Sequence, residues 1–273
     1  MRETDEQRRE RERREDLAKL RGLRPMDDDF MRCIFRDNIP LAQFVLRILT
    51  GIEDLEITRI DTQKDLKRLV GARSVCLDAY GHDSKGRIYD LEIQRADHGA
   101  GVRRARYHSS AMDIENLDAG QDFEGLPDTY TIFVTENDVF GHGNPVYRVE
   151  RVHLDMDFQP FDDGEHILYI NGQYRGDSAI GQLMHDFRCW NPDDMNYELF
   201  RDTVRYYKEN PKGVDTMCRA FEETRNEGAK RRAMDIAKNL IEQGQLTLEV
   251  IASVTELPLE EIQKLAAEVT EKE

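Results

Sequence analysis

The chain's patterning predicts an α/β fold: a helix, three strands, a second helix and a fourth strand, followed by a C-terminal helical region. Three observations carry this. Two neighbouring segments, residues 74–80 and 87–94, alternate in polarity with the period-two rhythm of half-buried strands. Amphipathic helical segments flank the strand-rich stretch. From Ser178 onward the periodicity is helical throughout.

Taken in order, residues 1–25 form a charged tail with almost nothing apolar before Leu17. It reads as disordered or as a solvated helix with i,i+4 charge pairs, and its mildly positive balance is read as solvation in preference to phosphate contact. Arg24-Pro25 breaks the run. Asp27, Asp28 or Asp29 then caps a helix carrying Phe30, Cys33, Ile34 and Phe35 and, after Asn38-Ile39-Pro40, Phe44, Val45, Ile48 and Leu49; Gly51 ends it. Residues 55–60 alternate as a first strand. Residues 101–117 read as a helix with Val102, Ala105, Ala111, Met112 and Ile114 inward. Residues 128–135 form an apolar strand fit for a sheet interior. Strand-like pieces follow at 146–154 and 166–171, then helices at 178–188, 194–209 and 212–243. Residues 246–269 split at Leu257-Pro258 into two short helices with a helix-turn-helix outline. The second of these is acidic, so it reads as a packing or dimerisation element, not a DNA reader. The expected divisions are 1–25, a core at 26–175, a helical extension at 176–243 and a small helical tail at 244–273.

The two alternating segments carry the chemistry. A three-residue loop at Ser84-Lys85-Gly86, with Gly86 in the left-handed position, pairs Asp83 with Arg87 and sets Asp78 opposite Glu92. One face then shows Val75, Leu77, Ala79, Tyr89, Leu91 and Ile93, the other Cys76, Asp78, Tyr80, Asp90, Glu92 and Gln94. Like charges directly opposite on neighbouring strands are destabilising. Two readings stay open: a solvated outer face, or a site where a hard divalent cation such as Mg²⁺ or Mn²⁺ removes the repulsion.

Composition narrows the function. The 273 residues are 39% hydrophobic and 34% charged, enough for an ordinary core. No run approaches the ~18 apolar residues of a membrane span, and Met1-Arg2-Glu3-Thr4-Asp5 has no apolar signal core, so no membrane partner and a cytoplasmic location are expected. Cys33, Cys76, Cys189 and Cys218 stand singly, against disulfides and a zinc ribbon. With a net charge of −16, any contact with phosphates needs a local basic patch. Met184, Phe187, Met195 and Phe200 around Trp190 read as core, and His185-Asp186 as a polar cap or surface pair.

Several segments together resemble the PD-(D/E)XK nuclease family transposases, the recombination-promoting nuclease (Rpn) group. They are Asp29 to Phe35, Asp78 with Asp90-Leu91-Glu92-Ile93-Gln94, Arg106-Tyr107-His108-Ser109, residues 183–187 through 206–208, and Ala237 to Ile241. The likeness covers roughly residues 26–268. It implies a restriction-endonuclease-like core of order α-β-β-β-α-β and a Mg²⁺- or Mn²⁺-dependent endonuclease acting on DNA, with a role in recombination or transposition. By position, Asp78 is the core aspartate, Glu92 the acid of the third-strand motif, and the Ile93 carbonyl a further ligand. Gln94 stands where the wider superfamily has lysine. An amide orients water through hydrogen bonds but carries no charge, so a weakly active or inactive binding protein is the alternative. Asp29 is a candidate for an additional acid from the first helix, or a cap.

On the helix after the third strand, Arg103, Arg104 and Arg106 form a basic cluster with Tyr107 and His108 beyond. Arg103 and Tyr107 share a face that can look toward the acids, Arg104 and His108 the neighbouring stripe. Arg103, Arg104 and Tyr107 are the expected phosphate contacts, with His108 as a hydrogen-bonded surface residue. Double-strand cleavage by a single-site nuclease calls for two subunits, hence an expected homodimer.

Overall fold

The computed structural model describes residues 4–66, 76–95 and 100–270. Charge pairs at i,i+4, such as Arg8–Glu12 and Arg11–Glu15, run along α1 (Asp5–Gly22). The next apolar segment forms two helices, α2 (Asp28–Phe35) and α3 (Ile39–Thr50), where a single interrupted one was expected. Asp37 adopts a left-handed φ of 55° between them, and Asn38 caps α3 by accepting from the Leu41 amide. Gly51, at φ 77°, ends α3 in the left-handed conformation that glycine tolerates. Asp27 holds the cap position of α2 without capping it; its carboxylate accepts instead from the Arg24 amide and guanidinium.

The strands are β1 (Ile57–Asp65), β2 (Cys76–Asp83) and β3 (Ile88–Gln94), followed by α4 (Val102–Asn116) and β4 (Thr129–Thr135). The expected strand at 146–154 is split into β5 (Val146–Val149) and β6 (Val152–His153), and β6 pairs with β7 (Gln159–Pro160) in a separate ribbon. β8 (Glu165–Asn171) completes a six-stranded sheet of order β1-β2-β3-β4-β8-β5. β3, β4 and β8 run parallel and the outer pairings are antiparallel. This is the predicted α-β-β-β-α-β order. Val75 lies outside the described residues.

Every residue of β3 except Gln94 is buried, so this strand is covered on both faces. α2 and α3 pack against β1, and α4 lies on β4. Beneath α4 sit two apolar clusters: Leu66, Leu77, Tyr80, Ile88 and Met112, and Ala100, Ala105, Phe133 and Tyr169. The inward face of α4 differs from the expected one. Ala105 and Met112 are buried, but Val102 is 62% and Ile114 49% exposed, because the stripe turned to the sheet is the one carrying His108.

Helices α5 (Ala179–Arg188) and α6 (Glu198–Glu209) follow, then α7 (Pro211–Gln243). α6 begins four residues later than expected because buried Asp186 accepts the Asn196 and Tyr197 amides at 2.8 and 2.9 Å. His185 bonds the same carboxylate, so the pair ties the end of α5 to the turn before α6, with one buried member. Met184, Phe187, Met195 and Phe200 are core, as predicted. The chain divides into two compact units, Met1–Met217 and Cys218–Glu273. The second contains α8 (Leu248–Thr255) and α9 (Leu259–Thr270) around a small core of Ala237, Ile251 and Ile262.

Candidate active site

Gly86, at φ 84°, closes the β2–β3 turn, and Asp83 and Arg87 pair through the Asp83 amide and the Arg87 carbonyl at 3.1 Å. The ladder then runs through His82–Ile88, Gly81–Tyr89 and Tyr80–Asp90 to Ala79–Leu91. Continued by one rung, this register sets Asp78 opposite Glu92. There the side chains take over from the backbone. The Asp78 amide donates to Glu92 Oε1 at 3.0 Å, and the Ile93 amide donates to Asp78 Oδ2 at 3.2 Å. Each carboxylate thus clasps the opposite strand, which draws the two acids to one place.

α4 lies over this place: Glu92 and Asp90 are 0% exposed, and Asp78 is half-buried. Arg104 Nη2 donates to Glu92 Oε2 at 2.9 Å, and the Gln94 amide reaches the same oxygen at 3.4 Å. Arg104 Nε also donates to His108 Nε2 at 3.1 Å. A guanidinium can only donate, so Nε2 is the bare nitrogen and Nδ1 carries the proton. Nδ1 donates it to Asp90 Oδ2 at 3.1 Å. His108 is hydrogen-bonded, as expected, but it is buried and not a surface residue. Asp90 Oδ1 is buried with no partner.

Burial raises all three carboxyl groups above their ordinary range. For Asp90, desolvation comes first and the charge of Asp78 second. For Glu92, desolvation is followed by repulsion from Asp90 and then Asp78. For Asp78, desolvation acts against the stabilising Ile93 amide, and Asp28 adds repulsion while Arg104 and Arg32 oppose it. Arg104 and the clasping amides favour the charged forms, but one guanidinium cannot offset three crowded acids in a buried space.

The structure therefore brings Asp78, Glu92, Gln94 and Arg104 together. Arg103 and Tyr107 lie on the exposed side of α4, since the neighbouring stripe, Arg104 and His108, is the one turned to the acids. Asp29 pairs with Lys19 at 2.6 Å, and it is Asp28 whose charge acts on Asp78. Asp90 stood on the acidic face predicted by period two. Its partner His108 was legible only through the Arg106–Ser109 likeness and the i,i+4 spacing from Arg104.

One ligand atom each from Asp90, Glu92 and His108 can be chosen within 4.8 Å of one another. The orphaned Asp90 oxygen and the carboxylate-rich donor set fit a hard divalent cation. Among the described residues, no helix is long and apolar enough to cross a membrane. The family model of the PD-(D/E)XK nuclease family transposases matches residues 37–171, a stretch that holds every strand of the six-stranded sheet. No curated protein and no solved structure matches the chain.

Proposed function

Since residues 37–171 belong to the PD-(D/E)XK nuclease family transposases, we propose that this protein is a divalent-metal-dependent endonuclease hydrolysing phosphodiester bonds in DNA. The observation that carries the reading is the Asp78–Glu92 clasp, in which half-buried Asp78 and buried Glu92 are held side by side with both carboxyl groups shifted upward. Like charges are kept this close at a cost to stability, which a cation relieves.

Asp78, Glu92 and the Ile93 carbonyl would hold Mg²⁺ or Mn²⁺, with Asp90 and His108 immediately behind. Such an ion supplies charge neutralisation at the scissile phosphate and lowers the pKa of a bound water. Gln94 orients the attacking water by accepting its hydrogen bond; the amide cannot take the proton. Arg104, held by His108 at Nε and reaching Glu92 through Nη2, would be placed to contact the scissile phosphate. Arg103 and Tyr107 contact the DNA backbone from the exposed side of the same helix. The protein acts in the cytoplasm, and two copies cut both strands.

Supercoiled plasmid tests this directly. Wild-type protein nicks it in a Mg²⁺ and Mn²⁺ series, and Asp78→Ala does not. Plasmid left intact across the whole series, by folded wild-type protein, would overturn the enzyme and leave a nuclease-fold binding protein in its place.

A further inference from the structure

The C-terminal ends of β3, β4 and β8 open onto the loop between β8 and α5, Gly172-Gln173-Tyr174-Arg175-Gly176-Asp177-Ser178. This loop is pressed hard against the fold. A Cβ on Gly172 would fall 2.3 Å from the Thr135 carbonyl oxygen, and one on Gly181 would fall 1.9 Å from that of Gly176. Two arginines meet at this place. Arg175 Nη1 donates to the Gly172 and Tyr174 carbonyls at 2.8 and 2.7 Å. Arg188, from the last turn of α5, donates to the Glu136 carbonyl at 3.3 Å.

Neither arginine pairs with a carboxylate among the described residues. Arg24 nearby is matched by Asp27 and Glu136, and Arg95 by Asp27. Asp177, the carboxylate of the loop, bonds to neither. Burial, and then the charge of Arg188, lower the pKa of Arg175, so the two cations repel one another. One nitrogen of each is engaged by main chain, and the other donors of the fork remain for a ligand rich in oxygen.

We propose that Arg175 and Arg188 form a subsite for a phosphate of the DNA strand, one step along the sheet end from the cleavage centre. The link runs through main chain. The Glu136 amide donates to the Gln94 carbonyl at 2.9 Å, and the carbonyl of Glu136 accepts from Arg188. In open sheets, ligands lie outside the carboxyl ends of parallel strands, and Gln94, Thr135 and Asn171 are those ends here. Contacts of this kind fix the register of a nucleic acid on the protein without reading its sequence. The subsite rests on the endonuclease reading.

The experiment is duplex DNA binding across a salt series, with Asp78→Ala as the non-cleaving parent. Adding Arg175→Ser and Arg188→Ser should weaken binding about tenfold or more at low salt, equally for unrelated sequences. The plot of log affinity against log salt should flatten by about 0.9, the change for one lost phosphate contact. Arg175→Lys with Arg188→Lys should keep most of the slope, separating charge from folding. Mn²⁺ binding by the double serine variant with Asp78 intact should stay at the wild-type value. An unchanged affinity and slope would overturn the subsite and leave the endonuclease standing. A folded parent that binds no DNA would remove both.

Discussion

The β2–β3 hairpin buries carboxylates at both of its ends, and their surroundings are opposite. At the turn, Asp83 accepts from the Lys85 and Arg87 amides at 2.9 Å each, from Arg87 Nε at 2.6 Å and from the Tyr89 hydroxyl at 3.0 Å. Despite burial, the Arg87 bonds and the remaining donors hold it below the ordinary aspartate range. At the open end, Asp78, Asp90 and Glu92 crowd together, one oxygen is unpartnered, and all three titrate high. Asp186, a fully buried carboxylate, likewise has its donors in place around it. A buried acid is ordinary when its donors are built in. A group of buried acids short of donors is a place prepared for something else.

The sharpest way to break the contrast is to substitute one acid at each end. Glu92→Gln should cut metal-dependent nicking by more than the ~10- to 100-fold that loss of a supporting residue costs. It should leave the metal-free protein as stable as before or more so, since the amide still accepts the Asp78 N–H and no buried carboxyl group at this position has to hold a proton. Asp83→Ala should do the reverse. It leaves Arg87 without its partner and should cost about 3 kcal/mol in a denaturant melt, with nicking per folded molecule nearly unchanged. Equal stability losses in the two variants would erase the distinction.

The pH dependence of stability follows with opposite signs. Asp83, depressed when folded, contributes stability that is present above the ordinary aspartate range and is lost as pH falls through its folded value. Glu92 and Asp90, raised when folded, keep protons that the unfolded chain has already released. Their contribution therefore declines as pH rises above the ordinary carboxylate range. Thermal melts of metal-free protein should show both limbs, and Glu92→Gln should flatten the alkaline one alone. Mn²⁺ binding near neutral pH should release protons, measurable by calorimetry in buffers of different ionisation enthalpy. The smallest effect concerns Gln94. Gln94→Lys should change the nicking rate by roughly tenfold or less, below the full ~10²–10⁴ of a general acid or base, through kcat and not through Mn²⁺ affinity.

Much of the hairpin was legible because two local rules agree. A glycine at position 86 satisfies the left-handed turn residue, and period-two alternation then leaves one register that sorts polar from apolar side chains. That register carried Asp78 opposite Glu92 without any knowledge of the rest of the fold. Element order was equally local, although Asp37 at positive φ and the bonds from Asn196 and Tyr197 to Asp186 moved helix boundaries by a few residues. The face of α4 was not legible. Val102 and Ile114 are apolar yet outward, while Arg104 and His108 are polar yet turned to the sheet.

By itself the sequence determined the α/β order, the hairpin register and the meeting of two acids, since backbone conformation and alternation act between near neighbours. Only the tertiary structure decided that Glu92 is buried and Asp78 half-buried, that His108 and Arg104 stand against them, and that Arg175 and Arg188 converge beyond Gln94. Those facts depend on how α4 and α5 lie on a sheet assembled from distant strands, where desolvation and long-range charge set the outcome.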